Sequence, residues 1–444
     1  MASYRRRRWR EAMAVRIDLN GLAAVAEGTD APPACELESV LAALEEPCAR
    51  LRTRRLEGAL PSLALPHRGT GLRAMLELAA AVQAEFETLV VLGTGIEARA
   101  AQAFVSALAP ESGGGPRVVV ADSADPGAMQ ALLGSLDLAR TVFDVVSQRG
   151  DSAETMAQFL IVRDRLLREL GGLDYKRHVI VTTDATAGAL RQIVNDEGFR
   201  DLAIPAPADG APTALSAVGF FPALVAGVDV EEALAGAAFV EERGRVAESP
   251  IGDPALVLAA ALWCCVVRHG LGGIDVRAYC ERLGATRDWF LAVWGRVGPA
   301  PTVGPAHPGG TTLFLRVEDH GTSVDVPAAY QDIEEVGYLG GHSLGALVNA
   351  EQRMAEMLLG REGRPSVTVT LPAVNAFTVG QLVCLLETAA VAAGALAGDG
   401  EGRPPRVEAA ARGLLAGMLG RVEGESGRRE AEAWLARKSP RLIV

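Results

Sequence analysis

The period of the hydrophobic positions changes along the chain, and the changes mark its elements. From about 36 to 60, ELESVLAALEEPCARLRTRRLEGAL carries leucines at helical spacing and predicts an amphipathic helix. LPHRGTGL breaks it, and AMLELAAAVQAEF predicts a second helix. Short, continuous apolar runs follow: TLVVLGTG, RVVVADSADP, TVFDVVSQRG, HVIVTTDATAG and FRDLAIPA. Between them lie helical stretches such as IEARAAQAFVSALA and SAETMAQFLIVRDRLLREL. Continuous apolar strands alternating with helices predict a parallel sheet covered on both faces.

The same logic recurs less clearly in the second half. PALVLAAALWCCVVRHG and VRAYCERLGATRDWFLAVWG predict helices, TLFLRVED a strand and HSLGALVNAEQRMAEMLLG a helix. SVTVTLP predicts a strand and TVGQLVCLLETAAVAAGALAG a long apolar helix. The predicted fold class is α/β, with two doubly wound parallel-sheet lobes and helices on both faces. Its boundaries are a tail and helix over 1–64, a first lobe over 65–245, a second over 246–400, and closing helices over 401–444.

Composition narrows the function. The 444 residues are 49% hydrophobic but only 5% aromatic, so small residues fill closely packed layers. A net charge of −12 argues against generic nucleic-acid binding, which needs a basic footprint. The exception is the run Arg5 to Arg8, which reads as a solvated tail, with an anionic-surface contact or a sorting signal as alternatives. No apolar run follows those arginines as in a secretory signal, and no window is expected to approach the ~18 apolar residues of a membrane span. The six cysteines form no C-x-x-C, and Cys264 and Cys265 read as core thiols, so a cytoplasmic protein without metal or cofactor is expected. Lysine is confined to Lys176 and Lys438.

In an open α/β sheet, ligands sit beyond the carboxyl ends of the strands. That directs attention to three turns, Gly93–Arg99, Ser147–Glu154 and Thr182–Leu190. A dinucleotide fingerprint wants a third glycine where Ala98 stands, so VVLGTGIEARA alone is a weak signal. The ordered set is far more specific: VVLGTGIEARA, VVVADSADP, TVFDVVSQRGDSAET, VTTDATAGALRQIVNDEGF and ALSAVGFFPALVAGVDVEEALAGA, then LVNAEQRMAEMLLGREGRPSVTVTLPAVNAFTVGQLVCLLETAAVAAG and RPPRVEAAA. From about residue 70 to 412 this order resembles the glucose-6-phosphate isomerases, least between 245 and 330.

The resemblance implies two sugar-isomerase (SIS) lobes, a homodimer, and interconversion of glucose 6-phosphate and fructose 6-phosphate without a cofactor. It also implies a phosphate cradle, a ring-opening acid/base and a carboxylate that shuttles a proton. Against the family's G-I-G-G-S the chain has Gly93, Thr94, Gly95, Ile96 and Glu97. Against S-K-S-G-T-T it has Ser147, Gln148, Arg149, Gly150, Asp151 and Ser152. Carboxylates at Glu97 and Asp151 repel a phosphate dianion, and Arg149 either offsets them or pairs with one of them.

The other parts of the family site are also changed. After Gly210, Ala211 stands where the family has arginine. Gly295-Arg296 marks the family's G-K, and residues 289–317 contain no Asp or Glu to act as base. Gly310 falls at the ring-opening histidine, with His307 three residues earlier as the candidate. In Pro404–Ala411, Ala411 replaces a lysine and Glu408 remains, as a candidate catalytic carboxylate or a helix-opening residue. The candidate site is therefore His307 and Glu408, with a cleft formed by Gly93, Thr94, Gly95, Glu97, Ser147, Arg149, Gly150, Asp151, Ser152 and Gly210. Three readings stay open: an isomerase with substituted groups, a non-catalytic homologue that binds a sugar phosphate, another metabolite or a partner protein, and a structural subunit.

Overall fold

The computed structural model describes residues 3–23, 45–46, 49, 53, 57, 71–110, 113–205, 214–247, 250–268, 273–299, 310–397, 414–420 and 425–437. The amphipathic helix expected over 36–60 falls almost wholly outside them, as do His307, Glu408, Gly210 and Ala211.

The apolar runs of the first half form one all-parallel sheet. Its strands are β2 (Thr88–Leu92), β3 (Arg117–Ala121), β4 (Thr141–Val146), β5 (Val179–Asp184) and β6 (Arg200–Ile204), in the order β3-β2-β4-β5-β6. Alternate residues face opposite layers, because strand side chains alternate. Leu89, Val91, Val142 and Ile180 join the core under helices α2 (Leu72–Glu85), α3 (Ile96–Leu108) and α7 (Ala217–Val225). Val90, Leu92, Phe143, Val145 and Val181 pack under α4 (Pro126–Ser135), α5 (Ala153–Asp174) and α6 (Ala189–Glu197). The order reverses between β2 and β4, which makes the crevice past their carboxyl ends the topological switch point.

The second sheet is smaller and mixed, with the order β1-β9-β8-β7. β7 (Ile274–Tyr279), β8 (Thr311–Asp319) and β9 (Ser366–Ala373) are parallel. β7 lies where the hydrophobic pattern predicts a helix. IDVRAY is β-branched and aromatic, is half-buried along the sheet edge, and pairs with β8 from Ile274↔Thr311 to Tyr279↔Arg316. The fourth strand, β1 (Arg16–Asp18), comes from the N-terminus and runs antiparallel to β9.

The N-terminal residues are accordingly not a solvated tail. Tyr4 is buried, and Trp9 of helix α1 (Arg7–Ala12) meets Phe377 edge-on at 5.2 Å. The Gln381 amide donates to the Met13 carbonyl at 2.8 Å and accepts from the Val15 N–H at 3.1 Å.

Between the sheets lies a helical layer of α8 (Val230–Val246), α9 (Pro254–Trp263), α10 (Gly284–Val297) and α12 (Ala376–Leu396). α12 is by length and composition apolar enough to cross a bilayer, contrary to the expectation from sequence, yet 89% of its most apolar window is buried within the fold. It crosses α8 at glycines. A Cβ on Gly380 would overlap the Ala233 carbonyl, and one on Gly236 would overlap the Phe377 carbonyl. Two further helices of the described residues are α11 (Leu344–Arg361) and α13 (Glu425–Ala436), beside short helical turns at Asn20–Ala23 and Glu334–Gly337.

Candidate functional site

The two loops at the switch point are shaped by backbone approach. Gly93 ends β2 so close to β4 that a Cβ there would sit 3.1 Å from the Val146 carbonyl. Gly95 has φ +113° and opens α3 in a conformation that side chains rarely adopt. After β4, Gly150 turns at φ +66°, and a Cβ there would meet Leu190 at 2.5 Å. The third turn joins them: Ala189 N–H donates to the Arg149 carbonyl at 3.0 Å, and Asp184 N–H to the Gln148 carbonyl at 3.0 Å. All three turns expected from the sequence therefore converge.

Hydroxyls knit the loops together. Ser152 caps α5 by accepting from Thr155 N–H at 3.3 Å, and donates to the Glu154 carboxylate at 3.0 Å. Thr94 Oγ1 lies 3.2 Å from Ser152 Oγ, while Thr94 N–H donates to Thr155 Oγ1 at 3.2 Å. Ser147 Oγ accepts from Gly150 N–H at 3.0 Å. These donors and acceptors are engaged with one another within the loops. Thr155 belongs to this network, although the sequence reading did not single it out.

Of the two expectations for Arg149, offsetting the carboxylates or pairing with one of them, the pairing is not formed. Arg149 is exposed and makes no ion pair with Glu97 or Asp151 among the described residues. Glu97, in the first turn of α3, instead faces Arg296 at the end of α10, with Nη1 and Oε1 3.7 Å apart. The sequence placed Arg296 beside the expected base position but held no local signal for this long-range contact. The pair is partly exposed and worth at most about 1 kcal/mol; its importance is where it puts charge. The loops around the crevice thus carry carboxylates at Glu97, Asp151 and Glu154 and a guanidinium at Arg149, with Arg296 beside Glu97.

Asp144 lies three residues before Ser147, in the middle of the sheet. It is fully buried, accepts from the Thr182 hydroxyl at 2.8 Å, and has no partner for Oδ2 among the described residues. Burial pushes its carboxyl up to about 7, against a smaller downward pull from Thr182. In the third turn, Asp184 is held below the usual range, chiefly by the Thr186 N–H and also by Ala187 N–H.

A cavity of about 580 Å³ opens beside β6, lined by Leu72, Met75, Ile204, Leu215 and Phe220 with Asp184 and Asp201 at its margin. The loops after β2 and β4 do not line it. Among the described histidines, His178 is buried with Nδ1 on the Thr141 carbonyl at 2.8 Å, while His320 is half-buried and His342 exposed. No group of three or more His, Cys, Asp or Glu among the described residues is placed to hold a metal ion.

No family model matches the chain. It is 34% identical over 408 residues to the glucose-6-phosphate isomerase of Rubrobacter xylanophilus, covering 84% of this chain and 93% of that protein. It is 32% identical over 434 residues to the glucose-6-phosphate isomerase of Carboxydothermus hydrogenoformans, covering 89% and 92%. Among solved structures, a hypothetical protein of Thermus thermophilus superposes with a TM-score of 0.78 at 27% identity, covering 92% of this chain and all of that one. A glucose-6-phosphate isomerase of Chlamydia trachomatis superposes with a TM-score of 0.64 at 14% identity, covering 96% and 86%, and so shares the fold.

Proposed function

The chain belongs to the glucose-6-phosphate isomerase family, and on that premise we propose that it keeps the sugar-isomerase scaffold while its isomerisation chemistry is strongly impaired. The observation that carries this reading is Arg296 beside Glu97. The expected serine position of the first loop holds a carboxylate, and the segment expected to bring the base brings no carboxylate, only Arg296 at the position of the family's lysine. Residues 289–317 contain no Asp or Glu that a realignment could recruit.

Isomerisation through an enediolate needs a base that moves a proton between neighbouring carbons, and a positioned base contributes about 10²–10⁴-fold. A guanidinium keeps its proton at any working pH. Arg296 can stabilise an oxyanion but cannot abstract a proton. Glu97 is a carboxylate in the same crevice, but its position in the first turn of α3 and its ion pair give it a structural role. Binding of a small metabolite without turnover is the function left to the crevice.

A coupled assay starting from fructose 6-phosphate tests this. The expected kcat/KM lies at least about 10²-fold below that of the Rubrobacter relative measured alongside. Equal turnover would overturn the proposal and favour the second reading, an active isomerase, which the 34% identity supports. In that event His342, the exposed imidazole among the described histidines, is the acid–base candidate to replace by Asn.

Two copies are further proposed to pair. Tyr330, Ile333, Val336, Tyr338, Met354 and Met357 leave large apolar side chains exposed on one stretch of the second lobe.

A further inference from the structure

We propose that the Arg5–Arg8 ridge of one copy and the acidic loop tip between β8 and α11 of a second copy form a charged contact that sets the register of the pair. The inference rests on the pairing proposed above and assigns residues to it.

The ridge projects from a fixed base. Trp9 and the Met13–Val15 backbone dock on α12 and Tyr4 is buried, so the guanidiniums of Arg5, Arg6, Arg7 and Arg8 stand exposed on a turn and helix with a fixed base. Arg7 is engaged by Glu11 at 2.8 Å, and Arg5 lies 5.9 Å above the Tyr4 ring. Arg6 and Arg8 have no ion pair or hydrogen bond from their side chains among the described residues. Cations at the leading end of a helix run against its macrodipole, so local structure does not account for them.

The opposite charge sits on a compact loop. Residues 320–343 leave β8 and return to α11, and their neck is closed by Val326 N–H to the His342 carbonyl at 2.8 Å and Leu344 N–H to the Val324 carbonyl at 2.9 Å. The tip is closely packed: a Cβ on Gly340 would lie 2.8 Å from Ala328 Cα, and one on Gly337 would lie 2.8 Å from the Gln331 carbonyl. Asp332, Glu334 and Glu335 are exposed there and make no ion pair among the described residues. Tyr330 and Tyr338, 69% and 67% exposed, flank them with unburied apolar surface.

Ridge and tip both spring from the carboxyl end of the second sheet. α1 leads into Arg16, which lies opposite Thr370 of β9 and pairs with Glu318 near the end of β8, where the loop begins. Among the described residues, Arg5, Arg6 and Arg8 have no carboxylate partner, and neither Asp332, Glu334 nor Glu335 has a cationic one. A two-fold operation satisfies both sets at once, the ridge of each copy meeting the tip of the other. Each chain carries −12, so copies repel at long range, and a local opposite-charge contact selects one orientation. The apolar side chains supply the burial, and the charges supply the register.

Sedimentation equilibrium on the full chain tests this with three variants: R5E/R6E/R8E, D332R/E334R/E335R, and the two combined. Circular dichroism verifies that each is folded. Each one-sided reversal should raise the dimer Kd by at least about tenfold, and the combination should return it to within about threefold of the parent. An unchanged Kd in either reversal, or a combination weaker than both, overturns the contact while leaving the pairing itself standing. A parent chain that is monomeric throughout overturns both.

Discussion

The two sheets of this protein reach the same end, a covered parallel core, with different help. The first is built from consecutive strands whose apolar runs bury both faces, as in Thr88–Leu92 and Val179–Asp184. The second has three parallel strands and is completed by Arg16–Asp18, brought in from the N-terminus against a partner about 350 positions away. A strand supplied from so far along the chain makes the N-terminal residues part of the fold. The first sheet owes its shape to local sequence and the second to a long-range closure, so substitutions in the two should fail in different ways.

The largest effect is expected in the first sheet, from Asp144→Asn. The folded-state pKa of Asp144 is raised to about 7, above its unfolded value. Between about pH 4 and pH 7 the folded chain therefore holds a proton that the unfolded chain has released. Stability from this group is fully present below that window, falls as pH rises through it, and is level above. Asn carries no charge and can still accept from Thr182, so urea unfolding at pH 8 should show a gain of up to about 4 kcal/mol, while near pH 4 the two proteins should match. A parent whose stability does not fall between pH 4 and 7 would contradict the neutral buried carboxyl.

Next is Gly380→Ala in the helical layer, which forces α12 away from the Ala233 carbonyl. A loss of about 3 kcal/mol is expected in the same unfolding measurement, and an unchanged midpoint would mean that the helices do not cross there. Trp9→Ala isolates the closure of the second sheet. About 2 kcal/mol should be lost, with hydrogen exchange accelerating at Arg16–Asp18 and their partners on β9 but not in β2 or β4. Uniform acceleration across both sheets would erase the distinction between them. The smallest effect is expected from Arg296→Ala, where loss of a partly exposed pair should shift unfolding by less than about 1 kcal/mol. A much larger loss would mean that the Glu97–Arg296 contact holds more of the fold together than a partly exposed ion pair does.

What was legible in the sequence follows the same division. β2, β4 and β5 could be read because burial on both faces gives continuous apolar runs that glycine-rich turns end sharply. The three converging turns could be read for the same reason: Gly93, Gly95 and Gly150 mark where backbone must approach backbone. β7 was hidden because an edge strand is only half-buried, and IDVRAY runs on into a segment of helical period. Docking of α1 was hidden because Trp9 and Met13 find their partners, Phe377 and Gln381, only through the fold. Glu97 could be recognised as a departure from the family pattern, whereas its partner Arg296 could not, since nothing local links them.

The central claim is that the scaffold has been kept while the crevice has turned against a sugar phosphate. Isothermal titration of 6-phosphogluconate into the parent and into E97S/D151T tests it most directly. The account predicts that the double variant binds at least about tenfold more tightly, because two carboxylates no longer face the dianion. A parent that already binds as tightly as the variant would contradict it.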